Sequence, residues 1–116
     1  MKDKIKFKIP SKAEYLSLVR LSTAAIAQTM DFDIDTIEDL KMSISEACNI
    51  VLSSACEDYF VIQYKVKSQK SLEIEIEKSC PLAEFDENLN MSKIIIEALM
   101  DETEITDEHI LMKLFK

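Results

Sequence analysis

Not one of the 116 residues is glycine, although average usage of about 7% would place roughly eight in a chain of this length. Glycine alone reaches positive φ without steric cost and lets backbone approach a phosphate closely. The Walker-type loop and the dinucleotide-binding loop both depend on it, so both are excluded. A nucleotide site in this chain would have to be built by other means.

The remaining composition is that of one soluble domain spanning 1–116, with 47% hydrophobic and 31% charged residues. Acidic residues number 22 against 14 basic ones, a formal charge of -8, so phosphate backbones and anionic membranes are repelled over most of the surface. Neither nucleic acid nor membrane is an expected partner. No apolar run approaches the roughly 18 residues of a membrane span. Met1 to Lys4 leads into a lysine-alternating strand rather than a signal-peptide core, which places the chain in the cytoplasm. Cys48, Cys56 and Cys80 are odd in number and lack metal-ligand spacing, and His109 is the single histidine. Free thiols and no metal site are the expectation, and His109, in the apolar run His109 to Phe115, reads as a strand residue rather than a catalytic base.

Lys4 to Ile9 alternates lysine with Ile5, Phe7 and Ile9, the period of a half-buried strand, and Pro10 ends it. Ser11 and Glu14 form a capping-box pattern that starts a first helix, with Tyr15, Val19, Ser22, Ile26 and Met30 as its core stripe. Asp35 and Glu38 start a second helix by the same logic, carried by Ile37, Leu40, Ile44, Ala47, Val51 and Ala55 to about Cys56. Period two returns from Tyr59 to Lys67 and again through Leu72, Ile74 and Ile76, joined by Ser68-Gln69-Lys70. The outer face of this hairpin sets Lys65 and Lys67 against Glu73, Glu75 and Glu77, suited to cross-strand pairing on a wet surface. Ser79 to Glu87 is a link, Asn88 or Asn90 caps a third helix to Met100, and strands near Glu102 to Thr106 and His109 to Phe115 turn through Asp107-Glu108. The expected fold is an α/β (α+β) two-layer sandwich in the order βααββαββ. Its five-stranded sheet is mixed and mainly antiparallel, with three helices on one face.

Pro10, Glu14-Tyr15 and Arg20-Leu21, then Ile37 to Lys41 leading into Ser45-Glu46-Ala47-Cys48, resemble the bacterial anti-sigma factor serine kinases of stress response and sporulation. Leu72-Glu73-Ile74 is similar to their third strand, and Glu97 to Glu102 to the end of their last helix. The resemblance implies a histidine kinase-like (GHKL-type) ATPase fold and an ATP pocket between helices and sheet. It also implies phosphorylation of a serine on an antagonist protein, sequestration of a sigma factor on a separate surface, and a dimer.

The resemblance further assigns a glutamate near the attacking group and, four residues later, an asparagine that holds magnesium. Glu46 matches the first; position 50 is Ile50, and Asn49 stands one step early, turned by roughly 100° on a helix. The adenine-selecting aspartate corresponds to Lys78, a donor where an acceptor is needed, and the following glycine to Cys80. The phosphate loop before the last helix reads Leu89-Asn90-Met91-Ser92, with side chains where bare amides would converge. Each change costs on the order of 1–3 kcal/mol, against about 8 kcal/mol for micromolar binding.

The sequence-based expectation is therefore a non-catalytic regulator of transcription without cofactor, acting by protein–protein binding. Its partner would be a sigma factor or an anti-sigma factor antagonist, with Arg20, Glu14 and Tyr15 as contact residues. Two readings of Arg20 stand, an interface anchor pairing a carboxylate and an ordinary surface arginine. The acidic stretch Asp31 to Asp39 is likewise either a lure for a basic partner or a solvated helix entry. The alternative function is an ATP-binding serine/threonine protein kinase using Glu46 and Asn49 with magnesium. A third is a structural subunit pairing with an intact relative, as a heterodimer in place of a homodimer.

Overall fold

Lysine and apolar residues alternate through Asp3–Pro10, and this becomes β1, the edge strand of a five-stranded sheet. The computed structural model describes residues 3–53, 57–77 and 87–115. Helices α1 (Leu16–Gln28) and α2 (Ile34–Ser53) follow, then the hairpin β2 (Tyr59–Ser68) and β3 (Ser71–Glu77). Helix α3 (Glu87–Leu99) and the hairpin β4 (Glu102–Ile105) and β5 (His109–Phe115) complete the order expected from the patterning. The sheet runs β1-β2-β3-β5-β4, and every neighbouring pair is antiparallel. The expected mixed sheet is thus antiparallel throughout, because hairpins supply β2-β3 and β4-β5, and β1 and β5 return in the opposite direction to their neighbours.

One face of the sheet forms the core. Ile9, Phe60, Ile62, Tyr64, Leu72, Ile74, Ile76, Ile110, Met112 and Leu114 are buried there. They pack beneath Val19 and Ile26 of α1, Leu40, Ile44, Ala47 and Val51 of α2, and Ile96 of α3. Helix α2 lies between the other two, each of which packs against it. Burial holds the Cys48 thiol up at about pKa 12 and raises the Tyr64 phenol to about 12 as well. The Tyr64 hydroxyl is satisfied at 2.7 Å by Thr23 Oγ1, which in turn donates to the Val19 carbonyl at 2.9 Å. The core stripe of α1 is therefore Val19, Thr23, Ile26 and Ala27, while Tyr15 and Ser22 stand outside it.

Several local expectations are overturned. Ser11 and Glu14 form no capping box: no side chain caps the 3-10 turn Ala13–Tyr15 or α1, and the Ser11 amide bonds the Asp58 carbonyl at 2.7 Å. That tertiary tie draws Ser11 away from the helix entry. Helix α2 is capped by Asp33 rather than Asp35; Asp33 Oδ1 accepts the Thr36 amide at 2.8 Å, leaving Asp35 in the first turn. Asn88 and Asn90 fall inside α3 instead of capping it. The β2-β3 turn narrows to Gln69-Lys70, with Ser68 paired to Ser71. Cys56, Lys78, Cys80 and most of the link from Ser79 lie outside the described residues. No described helix is long and apolar enough to cross a membrane.

Candidate functional site

The expected chemical residues sit on α2, whose 3.6-residue period decides which side chains can act together. Glu46 is half-buried on the flank facing α3, and its Oε1 accepts a hydrogen bond from Ser92 Oγ at 2.7 Å. Ser92 is only 6% exposed, so the serine of the fourth residue before Ile96 joins two helices across 46 positions of sequence. Asn49 is exposed to solvent, whereas Ile50 is fully buried at 0%. The two neighbours thus point in different directions, about a right angle apart, as one helical step of roughly 100° demands.

These positions bear on the magnesium nucleotide that the resemblance implies. The side chain at 50 is aliphatic and has no lone pair to offer a cation, and the amide at 49 is turned to the outer surface. Magnesium in phosphate sites takes one or two protein oxygens together with waters and phosphates, and position 50, where the resemblance expects such an oxygen, offers none. Among the described residues no group of three His, Cys, Asp or Glu side chains is arranged to hold a metal. The adenine-contacting positions Lys78 and Cys80 lie outside the described residues.

The partner-binding candidates form a different surface. Glu14 and Tyr15 are exposed in the turn entering α1, and Arg20 is exposed on the helix. No ion pair engages Arg20 among the described residues. Leu18 and Leu21, three residues apart and so neighbours on the same helix, are 50% and 67% exposed, and the outer surface of α1 carries both uncovered aliphatic side chains and the Arg20 charge. The sequence placed these leucines beside Arg20 without separating them from buried Val19. Their exposure follows from the stripe through Thr23 and Ala27, which turns Leu18 and Leu21 to the outside. Ser92 was the residue sequence reasoning missed as a partner for Glu46, since no local pattern links them.

The described His109 occupies the start of β5 on the open face of the sheet, 3.4 Å from Glu75 and 3.5 Å from Glu104. It lies far from Glu46 in the topology, on the opposite side of the sheet from the helices. It is a strand residue, as its apolar setting indicated.

Comparison with known proteins places the fold and part of the sequence. No family model matches the chain. Over 57 residues it is 53% identical to Serine-protein kinase RsbW of Bacillus thuringiensis (strain Al Hakam) and equally to that of Bacillus cereus (strain B4264). The matched stretch is 48% of this chain and 36% of either relative, so the homology reaches about a third of the curated relatives' length. The crystal structure of the RsbU and RsbW domains of Rv1364c from Mycobacterium tuberculosis superposes with a TM-score of 0.76 at 12% identity. That likeness covers 97% of this chain and 32% of the other. The chain thus shares the fold of that two-domain structure's matching part, and the matched 57-residue stretch is homologous to Serine-protein kinase RsbW.

Proposed function

We propose that this chain is an anti-sigma-type regulator that acts by binding another protein through α1 and the turn before it, with nucleotide chemistry lost. The carrying observation is the outer surface of α1, where Arg20, without an ion pair among the described residues, is exposed together with Leu18, Leu21 and Tyr15. A guanidinium bordered by aliphatic surface is suited to an interface, since its stem packs while its planar head pairs with a carboxylate. The buried Ile50 supports loss of magnesium binding, and with it loss of phosphoryl transfer.

The partner is a sigma factor or its antagonist, bound stoichiometrically in the cytoplasm, and release follows from competition between partners. The chain acts as a homodimer or paired with a related subunit. Co-purification from the native cell, with and without Arg20→Glu, tests the binding half: the expected result is a partner that disappears with the charge reversal. Calorimetric titration with ATP and magnesium tests the chemical half; 1:1 micromolar binding would refute it.

The second reading, an ATP-dependent serine-protein kinase, is favoured by the 53% identity over 57 residues to Serine-protein kinase RsbW and by retention of Glu46. Mass spectrometry of a co-incubated antagonist separates the two. A phosphoserine that vanishes with Glu46→Ala establishes the kinase.

A further inference from the structure

The sheet ends at β1, whose outer row of N–H and C=O groups meets no strand among the described residues. Such an edge is a template for another strand unless something restricts it. Here the restriction is chemical and two-sided. On the open face of the sheet, β1 presents exposed Lys4, Lys6 and Lys8 at every second residue, spaced roughly 6.8 Å apart. No acidic residue of the neighbouring strand faces them: Lys4 lies directly opposite Lys65, Lys6 opposite Gln63 and Lys8 opposite Val61, with the Lys8 ammonium 5.0 Å from the centre of the Tyr59 ring. Like charges in direct cross-strand register are unfavourable, and no described ion pair relieves this comb. A basic strip of this kind on a chain of net charge -8 is a local reversal of the overall field.

On the other face of the same strand, the core is incompletely covered. Ile5 and Phe7 are only half-buried, whereas the equivalent inward residues of the central strands, Ile62, Ile74 and Ile110, are at or near zero exposure. Beneath Ile5 lies a hollow of about 520 Å³, whose apolar lining is Ile5 and Val66 of the sheet, Ala25 and Ile26 of α1 and Met30, with Asp3, Thr29, Ser68 and Gln69 as its polar lining. Ala25 is itself exposed.

From these features we infer that the free edge of β1 is a strand-addition site for an extended acidic segment of a partner protein. The segment alternates carboxylate and aliphatic side chains. Main-chain hydrogen bonds to β1 supply the pairing, and alternate side chains supply the choice of sequence. One set of side chains lies beside Lys4, Lys6 and Lys8, where opposite charges across strands are favourable. The other set points under the sheet into the hollow beside Ala25. The lysines repel a basic edge, lose hydration without a counter-charge beside a neutral one and are paired by an acidic one, so the same residues that protect the edge select its occupant. This surface is separate from Arg20, Leu18 and Leu21, and the inference stands or falls independently of the binding role assigned to them.

The test uses the full chain and a fluorescent peptide of alternating glutamate and valine, read by anisotropy. Binding is expected at low salt, with at least tenfold weakening in the Lys4→Glu, Lys6→Glu double variant. Ala25→Trp, which fills the hollow and leaves every charge in place, is expected to weaken binding at least fivefold. Arg20→Glu is expected to leave it unchanged. Circular dichroism melts confirm that these exposed positions leave the fold intact. Equal binding of a block peptide with all glutamates at one end would reduce the effect to unspecific charge and overturn the inference. So would equal binding of a single-stranded oligonucleotide of the same charge. Salt-sensitive self-association that the peptide competes away would assign the edge to β4 of a second copy, with its Glu102 and Glu104, and also overturn it.

Discussion

Replacing Ser92 by alanine removes the hydroxyl that holds α3 to Glu46 of α2 at 2.7 Å. A hydrogen bond to a charged group contributes roughly 1.5–3 kcal/mol. Ser92 is buried, but Glu46 is half-buried and regains water when the donor is lost, which moves the expected cost to the lower end, about 1–2 kcal/mol. The entropy of unfolding is about 2.1 cal/mol/K per residue, which over 116 residues gives about 240 cal/mol/K. The melting temperature should therefore fall by about 4–8 °C. Urea unfolding of wild type, Ser92→Ala, Glu46→Ala and the double variant isolates the pair as a coupling energy, expected near 1 kcal/mol. Coupling below about 0.3 kcal/mol would mean that the two helices are held by apolar packing alone, and the reasoning from this bond would fail.

Ionisation of Cys48 and Tyr64 gives the fold an alkaline limit. Their folded pKa values are raised from 9.0 and 10.0 to about 12, so the unfolded chain loses these protons first. The associated stability is complete below about pH 9 and declines toward pH 12, by up to about 1.4 kcal/mol per pH unit for each group. Urea midpoints measured from pH 8 to 11 should fall accordingly, and a flat profile would contradict the burial of both groups. Asp33→Ala should cost about 1 kcal/mol through loss of the α2 cap, whereas Asp35→Ala should cost much less; equal losses would return the cap to the sequence-based position. Ile50→Asn should destabilise the fold by about 3–5 kcal/mol, combining a smaller side chain with a buried amide. A near-neutral effect accompanied by new magnesium-dependent nucleotide binding would place position 50 at an intact nucleotide hollow and favour the kinase reading.

Legibility of the site differed from that of the fold. Glu46 and Arg20 were picked out by their place in a recognisable string of residues, and the offset between Asn49 and Ile50 was visible from helical period alone. The structure adds what Glu46 is doing, and that depends on Ser92, 46 residues away. Arg20 could be read either as an anchor or as an ordinary surface charge; the structure adds that Leu18 and Leu21 of the same helix are exposed.

The alternation of lysine, glutamate and aliphatic residues determined the strands, and the three- and four-residue apolar spacing determined the helices, because both signals are local and repeat several times within one element. Their order and the layer they form were accordingly readable before any coordinates. The entry to α1 and its core stripe were decided by tertiary structure: Asp58 claims the Ser11 amide, and the Tyr64 hydroxyl makes Thr23 a core residue. In both cases a partner distant in sequence supplies a hydrogen bond, to half-buried Ser11 and to buried Thr23, and that single contact outweighs a local preference of comparable size.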